Sequence, residues 1–190
     1  MRRICVYAGS SPGRDPAYAQ AATELATLLA RRGTGVVYGG GKVGLMGILA
    51  DSALAAGGEV IGVIPQALMD REIGHDGLTE LRVVGSMHER KALMADLSDG
   101  FVALPGGAGT LEEVIEIYTW SQLGLHRKPM GVLNVRGYYD GLAALLDHAV
   151  QEGFLRGQHR AALHVAAKPA ELLERFAGWE PITIDKWLER

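Results

Sequence analysis

The chain has 190 residues, 48% of them hydrophobic and 22% charged, with a net charge of −3 at neutral pH. That length suits one domain spanning residues 1–190, or one domain with a tail, and the charge offers no basic field for nucleic acid or an anionic membrane. A single cysteine, Cys5, excludes disulfides within the chain and fits a cytoplasmic setting.

Residues 4–8 (ICVYA) read as a first strand; the apolar run after Arg2-Arg3 is too short for a signal peptide or a membrane span. The turn at 9–13 follows, and Asp15-Pro16 supplies an N-cap and first-turn proline for a helix to about residue 32, closed by Gly33. Residues 35–38 form a second strand, 39–42 a glycine turn, and 43–56 a largely apolar helix ended by Gly57-Gly58. Residues 60–64 form a third strand stopped by Pro65, and 81–84 a fourth. The helix at 86–98 opens on Ser86-Met87-His88-Glu89, which fits a capping box. A fifth strand at 101–104 feeds a Gly-rich turn and a helix to about residue 123; 130–135 and 139–151 add a strand and a helix, and 163–166 and 169–176 a last pair. Apolar strands alternating with helices predict parallel βαβ units, hence an α/β, Rossmann-like, doubly wound parallel sheet with helices on both faces.

Glycine, at 26 residues, is about twice its usual share, so turns must bring backbone close to something. The densest stretch is residues 100–116, GFVALPGGAGTLEEVIE. A strand that ends in glycines and turns straight into a helix leaves bare N–H groups at the helix's positive end, an arrangement that binds phosphate. Thr110-Leu111-Glu112-Glu113 is also a capping-box pattern, with Thr110 as cap and Glu113 reaching back. That accounts for Thr110 and Glu113 but not for the run of glycines, and a capped helix can still present N–H groups to an anion.

Gly39-Gly40-Gly41-Lys42-Val43-Gly44 matches the dinucleotide fingerprint, yet no acid ends the third strand, so an NAD reading is weak; Val43 after Lys42 rules out a P-loop. The turn is either a tight strand-to-helix link or backbone approaching a ligand, at the carboxyl ends of the strands where open α/β sheets bind one. Arg90 and Lys91 place cations early in a helix, against its dipole, at a cost of a few tenths to about 1 kcal/mol. The scattered histidines and lone cysteine build no metal site, and no nucleophile elbow surrounds Ser10-Ser11. Ile115, Ile117, Tyr118, Trp120 and Leu123 make the helix after the glycine turn apolar on most sides, which points to burial against a partner subunit.

Together these motifs resemble the LOG (LONELY GUY) family of cytokinin riboside 5′-monophosphate phosphoribohydrolases, once mislabelled lysine decarboxylases. The likeness covers nearly the whole chain: Gly9-Ser10-Ser11, Tyr38-Gly39-Gly40-Gly41 with Val43-Gly44-Leu45-Met46-Gly47, Met87-His88-x-Arg90-Lys91 and Pro105-Gly106-Gly107-x-Gly109-Thr110-x-x-Glu113. By resemblance, Arg90 and Glu113 are the catalytic pair. Glu72, Lys91, Gly107, Ala108, Gly109, Thr110 and Thr119 line the nucleotide site, with Gly9, Ser10, Gly40 and Gly41 in its first two loops. Ser86 stands where the family usually has Asp. The resemblance implies a small-molecule nucleoside 5′-monophosphate substrate, AMP included, no cofactor or metal, and a homodimer. In that reaction the glycine loop and Thr110 hold the phosphate, Lys91 adds charge toward it, and an ionised Glu113 faces an oxocarbenium-like ribose. The competing class is a carrier that holds a nucleotide or phosphorylated cofactor without cleaving it.

Overall fold

Every second residue of the first strand points the same way, and the two sets build two separate cores. In β1 (Arg3–Tyr7), Ile4 and Val6 pack on one side and Cys5 and Tyr7 on the other, as strand periodicity requires. The computed structural model describes residues 1–181 apart from Ile73, with the backbone alone for residues 70–72; the segment 182–190 lies outside the described residues.

The elements follow in chain order: α1 (Pro16–Arg31), β2 (Gly35–Tyr38), α2 (Gly44–Ala55), β3 (Val60–Pro65), α3 (Gln66–Glu72), β4 (Glu80–Val84), α4 (Met87–Asp96), β5 (Phe101–Ala103) and α5 (Ala108–Gln122). Then come β6 (Met130–Leu133), a 3₁₀ turn (Val135–Gly137), α6 (Asp140–Gln151), α7 (Gly157–Ala162), β7 (Leu163–Ala166) and α8 (Pro169–Ala177). All seven strands form one parallel sheet in the order β4-β3-β2-β1-β5-β6-β7. The order reverses between β1 and β5, whose register pairs Cys5 with Phe101. Such a reversal splays the two following loops apart and leaves a crevice at the carboxyl ends of the strands.

One core sits under α1, α2 and α8, with Leu25, Leu29, Leu45, Leu49, Leu172 and Phe176 packed on Ile4, Val6 and Val36. The other sits under α4 and α5, with Met94, Val114, Ile117 and Tyr118 packed on Tyr7, Val37, Ile61 and Phe101. Each fully buried large aliphatic or aromatic side chain contributes roughly 1.5–3 kcal/mol relative to leaving it exposed. The α/β, doubly wound sheet is therefore as the sequence predicts. Asp15 caps α1 through its carboxylate, accepting from Ala17 N, with Pro16 following it.

Two short helices were absent from the sequence reading. The α3 helix follows β3 with no intervening loop, and α7, of sequence GQHRAA, carries no apolar periodicity. Residues 134–135, expected as strand, leave the sheet for the 3₁₀ turn, where Arg136 takes a φ of 57°. No helix among the described residues is long and apolar enough to cross a membrane.

Candidate active site

At the strand-order reversal lies a cavity of about 300 Å³, the lower end of the range for small-molecule sites. Tyr7, Ala8, Gly9 and Ser10 at the exit of β1 border it, as does Gly39 at the exit of β2. Residues 107–110 border it on one side, and Arg90, Glu112 and Glu113 supply its charged groups.

The glycine turn after β5 departs from the capping-box expectation. The N-cap of α5 is Gly107, not Thr110, and it makes no side-chain capping bond. The helix starts three residues earlier than a Thr110 cap would place it, because glycine at 107 lets the chain enter the helix without a capping side chain. The N–H groups of residues 107–110 precede the bond from Leu111 N to Gly107 O, so they lie among the donors an α-helix leaves without an internal acceptor. A Cβ built on Gly107 or Gly109 meets nothing within 4 Å, and Gly107 has an ordinary φ of −80°. Protein packing thus gives no reason for glycine at either position; what their bareness does is open the helix N-terminus to the cavity, which suits an anion. Gly106 differs, since a Cβ there would stand 2.2 Å from Thr110 Oγ1.

The glycine turn after β2 has the opposite accounting. Gly40 and Gly44 have φ values of 79° and 62°, and a Cβ on Gly44 would lie 2.2 Å from the Ser10 carbonyl carbon. The first N–H groups of α2 are already used: Leu45 N and Met46 N both donate to Gly9 O, at 3.0 and 3.3 Å. Gly40 accepts from His75 N, and Gly41 forms an isolated bridge with Gly74. Of this turn Gly39 reaches the cavity, while Gly40 and Gly41 do not border it. It is a structural link.

Arg90 explains Gly39. In α4 the N-cap Ser86 accepts from Glu89 N at 3.1 Å, while Glu89 reaches Gly85 N at 2.7 Å, one residue before the cap. One turn in, Arg90 drops its guanidinium onto the carbonyl of Val63 in β3 and that of Gly39 just past β2. Nε donates to Val63 O at 3.0 Å and Nη2 to Gly39 O at 3.2 Å, which leaves Nη1 facing Glu113 Oε1 at 3.5 Å. A planar guanidinium holds its donors in a fixed fork, a geometry that an ammonium lacks. The charge is drawn away from the helix terminus that it would otherwise oppose.

Glu113 is the next departure. It sits in the second turn of α5, beyond the reach of first-turn dipole stabilisation, with its side chain only 11% exposed. Burial pushes its carboxyl up to about 7, with the guanidinium of Arg90 opposing and the charge of Glu112 reinforcing that shift. It therefore holds its proton more tightly than a solvated carboxyl does, where a helix N-terminus alone would favour the ionised form.

Lys91 does not border the cavity. Its ammonium is held by Glu112 Oε1 at 2.6 Å and Glu116 Oε1 at 2.9 Å. Desolvation works against its charge, but those two carboxylates outweigh it and raise its pKa. Lys91 therefore ties α4 to α5, with its charge engaged by two acids. Thr119 is exposed three turns along α5, where its hydroxyl donates to Ile115 O at 2.7 Å, and it does not border the cavity. Glu72 ends α3, and its side chain lies outside the described residues. Ser10, Gly107, Ala108, Gly109 and Thr110 do come together with Arg90 and Glu113. Met46 and Met87, from two of the sequence motifs, also border the cavity, as do Tyr7 and Met94, whose local sequence does not set them apart from core residues. Among the described residues no three His, Cys, Asp or Glu side chains converge as a metal site would require.

A family model described as "possible lysine decarboxylase" matches residues 46–176. The probable cytokinin riboside 5′-monophosphate phosphoribohydrolase LOGL5 of Oryza sativa subsp. japonica is 49% identical over 181 residues, 95% of this chain and 74% of the relative. The cytokinin riboside 5′-monophosphate phosphoribohydrolase LOG7 of Arabidopsis thaliana is 48% identical over 95% of this chain and 83% of its own length. Among solved structures, the molybdenum cofactor carrier protein of Chlamydomonas reinhardtii superposes with a TM-score of 0.69 at 22% identity, over 93% of this chain and 98% of that one. The molybdenum cofactor binding protein of Rippkaea orientalis gives 0.69 at 24% identity, over 93% and 95%. At that identity the likeness speaks for the fold alone.

Proposed function

Because the chain belongs to the LOG family, the group whose model carries the lysine decarboxylase description, we propose that it hydrolyses the N-glycosidic bond of a cytokinin riboside 5′-monophosphate. Water enters, and the free base and ribose 5-phosphate leave. AMP is a further substrate, since the residues that grip the nucleotide meet its phosphate and ribose, which both share.

The observation that carries this reading is the pairing of an uncapped glycine turn with a buried carboxyl in one cavity. The N–H groups of residues 107–110 hold the 5′-phosphate, remote from the bond that breaks, and that binding orients the sugar. Glu113 then faces the ribose, where its carboxylate stabilises the cationic sugar and draws a proton from the attacking water. A carboxyl balanced near 7 suits proton transfer at neutral pH, and Arg90 keeps it in place. A carrier needs no such acid beside a phosphate cradle. Glu112, Lys91 and Glu116 brace the two helices.

The protein acts as a homodimer through the outward side of α5, where Leu111, Ile115 and Leu123 are exposed. Light scattering is expected to read twice the chain's mass, and a monomer would remove that part of the proposal. The function itself is tested by incubating the protein with AMP and with isopentenyladenosine monophosphate. Free base and ribose 5-phosphate are expected in equal amounts. A nucleotide that binds and is recovered intact would assign the protein to the carriers instead.

A further inference from the structure

Two adjacent tyrosines after the 3₁₀ turn reach back to the strand that feeds the glycine turn. Tyr139 is buried, and its hydroxyl donates to Leu104 O at 2.7 Å. Tyr138 is 40% exposed; its ring stands edge-on to Tyr139 at 5.0 Å and to Tyr18 at 6.0 Å, and its hydroxyl donates to Gly106 O. Between those two carbonyls, Pro105 O accepts from Gly9 N at 3.2 Å. Three successive carbonyls at the exit of β5 are thereby each held by a donor from another part of the chain.

The Gly106 carbonyl matters most. It faces a side hollow of about 270 Å³, lined by Pro12, Tyr18, Leu45 and Tyr138, which meets the main cavity at Gly9, Ser10 and Gly107. The described peptide bonds are trans, so the Gly106 carbonyl and the Gly107 N–H point in opposite directions from one plane. With the carbonyl anchored in the side hollow, the N–H faces the main cavity. Both residues flanking that peptide are glycines, which tolerate either sign of φ, so the plane is free to turn over. Turned over, it would aim a carbonyl oxygen at the anion.

We propose that Tyr138 is a positioning residue for phosphate recognition: its hydroxyl latches the Gly106–Gly107 peptide so that an N–H, and not a carbonyl, faces the bound anion. The latch rests on the reading that a 5′-phosphate occupies the glycine turn. It acts at a distance, from the far side of the loop, and touches no part of the nucleotide.

Tyr138→Phe removes the hydroxyl and keeps the ring against Tyr18 and Tyr139. The melting temperature is expected to stay within about 4 °C of wild type. KM for AMP rises about five- to tenfold while kcat stays within about twofold, the scale of one lost hydrogen bond. The inhibition constant of inorganic phosphate rises by the same factor, and that of adenosine, which lacks the phosphate, does not move. A purely structural role would not separate those two inhibitors. Equal shifts for phosphate and adenosine overturn the latch, as does a variant with wild-type KM and wild-type phosphate inhibition. If wild-type protein releases no base from AMP, the functional reading falls; if it does so and Tyr138→Phe behaves identically, the latch alone falls.

Discussion

Two glycine turns flank β1, one leaving β2 and one leaving β5, and each runs directly into a helix. In the first, positive φ values and backbone contacts demand glycine, and the opening N–H groups of α2 are taken by Gly9 O. In the second, Gly107 and Gly109 face open space, and no side chain caps α5. The first spends its glycines on holding loops together, the second on leaving a positive helix end bare. What separates the two turns is who already occupies the helix donors, not how many glycines precede them.

The strongest way to break that contrast is to remove the chemistry from the open side. Glu113→Gln keeps the size of the side chain and its place beside Arg90, and is expected to lower turnover of AMP by roughly 10²–10⁴-fold with the fold intact. Wild-type turnover in that variant would mean that the acid is packing only. Next come the glycines themselves, as a matched pair. Gly44→Ala forces a left-handed φ and an overlap with the Ser10 backbone, so it costs about 3 kcal/mol or more. Gly107→Ala meets no atom, so its stability stays within about 1 kcal/mol of wild type while its KM for AMP rises on the order of tenfold. Urea unfolding and steady-state kinetics read both; the reverse pattern would exchange the roles of the two turns.

A smaller effect concerns the acid beside the open turn. Folding raises the Glu113 carboxyl from its ordinary 4.5 to about 7, so the folded protein holds this proton more tightly than the unfolded chain. Below the unfolded value both states are neutral there, and the benefit is fully present. It is lost as pH rises from about 4.5 through 7, by up to about 3 kcal/mol. Unfolding free energies of wild type and Glu113→Gln at pH 5 and 8 are expected to diverge, with the wild type losing more. Parallel pH profiles would place Glu113 in water.

Much of this was legible in the sequence. Continuous apolar runs at βαβ spacing give the sheet, and Asp15-Pro16 gives the start of α1, because those signals are local. The strand-glycine-helix motif also marks a turn that borders the cavity, and it carries Glu113, while the basic pair on α4 carries Arg90. What local pattern does not carry is who meets whom. Lys91 reads as part of a charged helix face, and its partners Glu112 and Glu116 come from another helix. Thr110 reads as a cap until the helix begins at Ala108. The roles of Gly9 O and of Tyr138 depend on contacts between distant segments.

The guanidinium of Arg90 occupies the volume that any side chain at position 39 would need, since a Cβ there would stand 2.0 Å from Nη2. Two positions 51 residues apart thus behave as a single locus. An alanine at 39, itself chargeless and innocuous on paper, would evict the cation and masquerade as a lesion in α4. Anyone reshaping this pocket inherits that epistasis: a side chain can be written at 39 only if the guanidinium of Arg90 gives way.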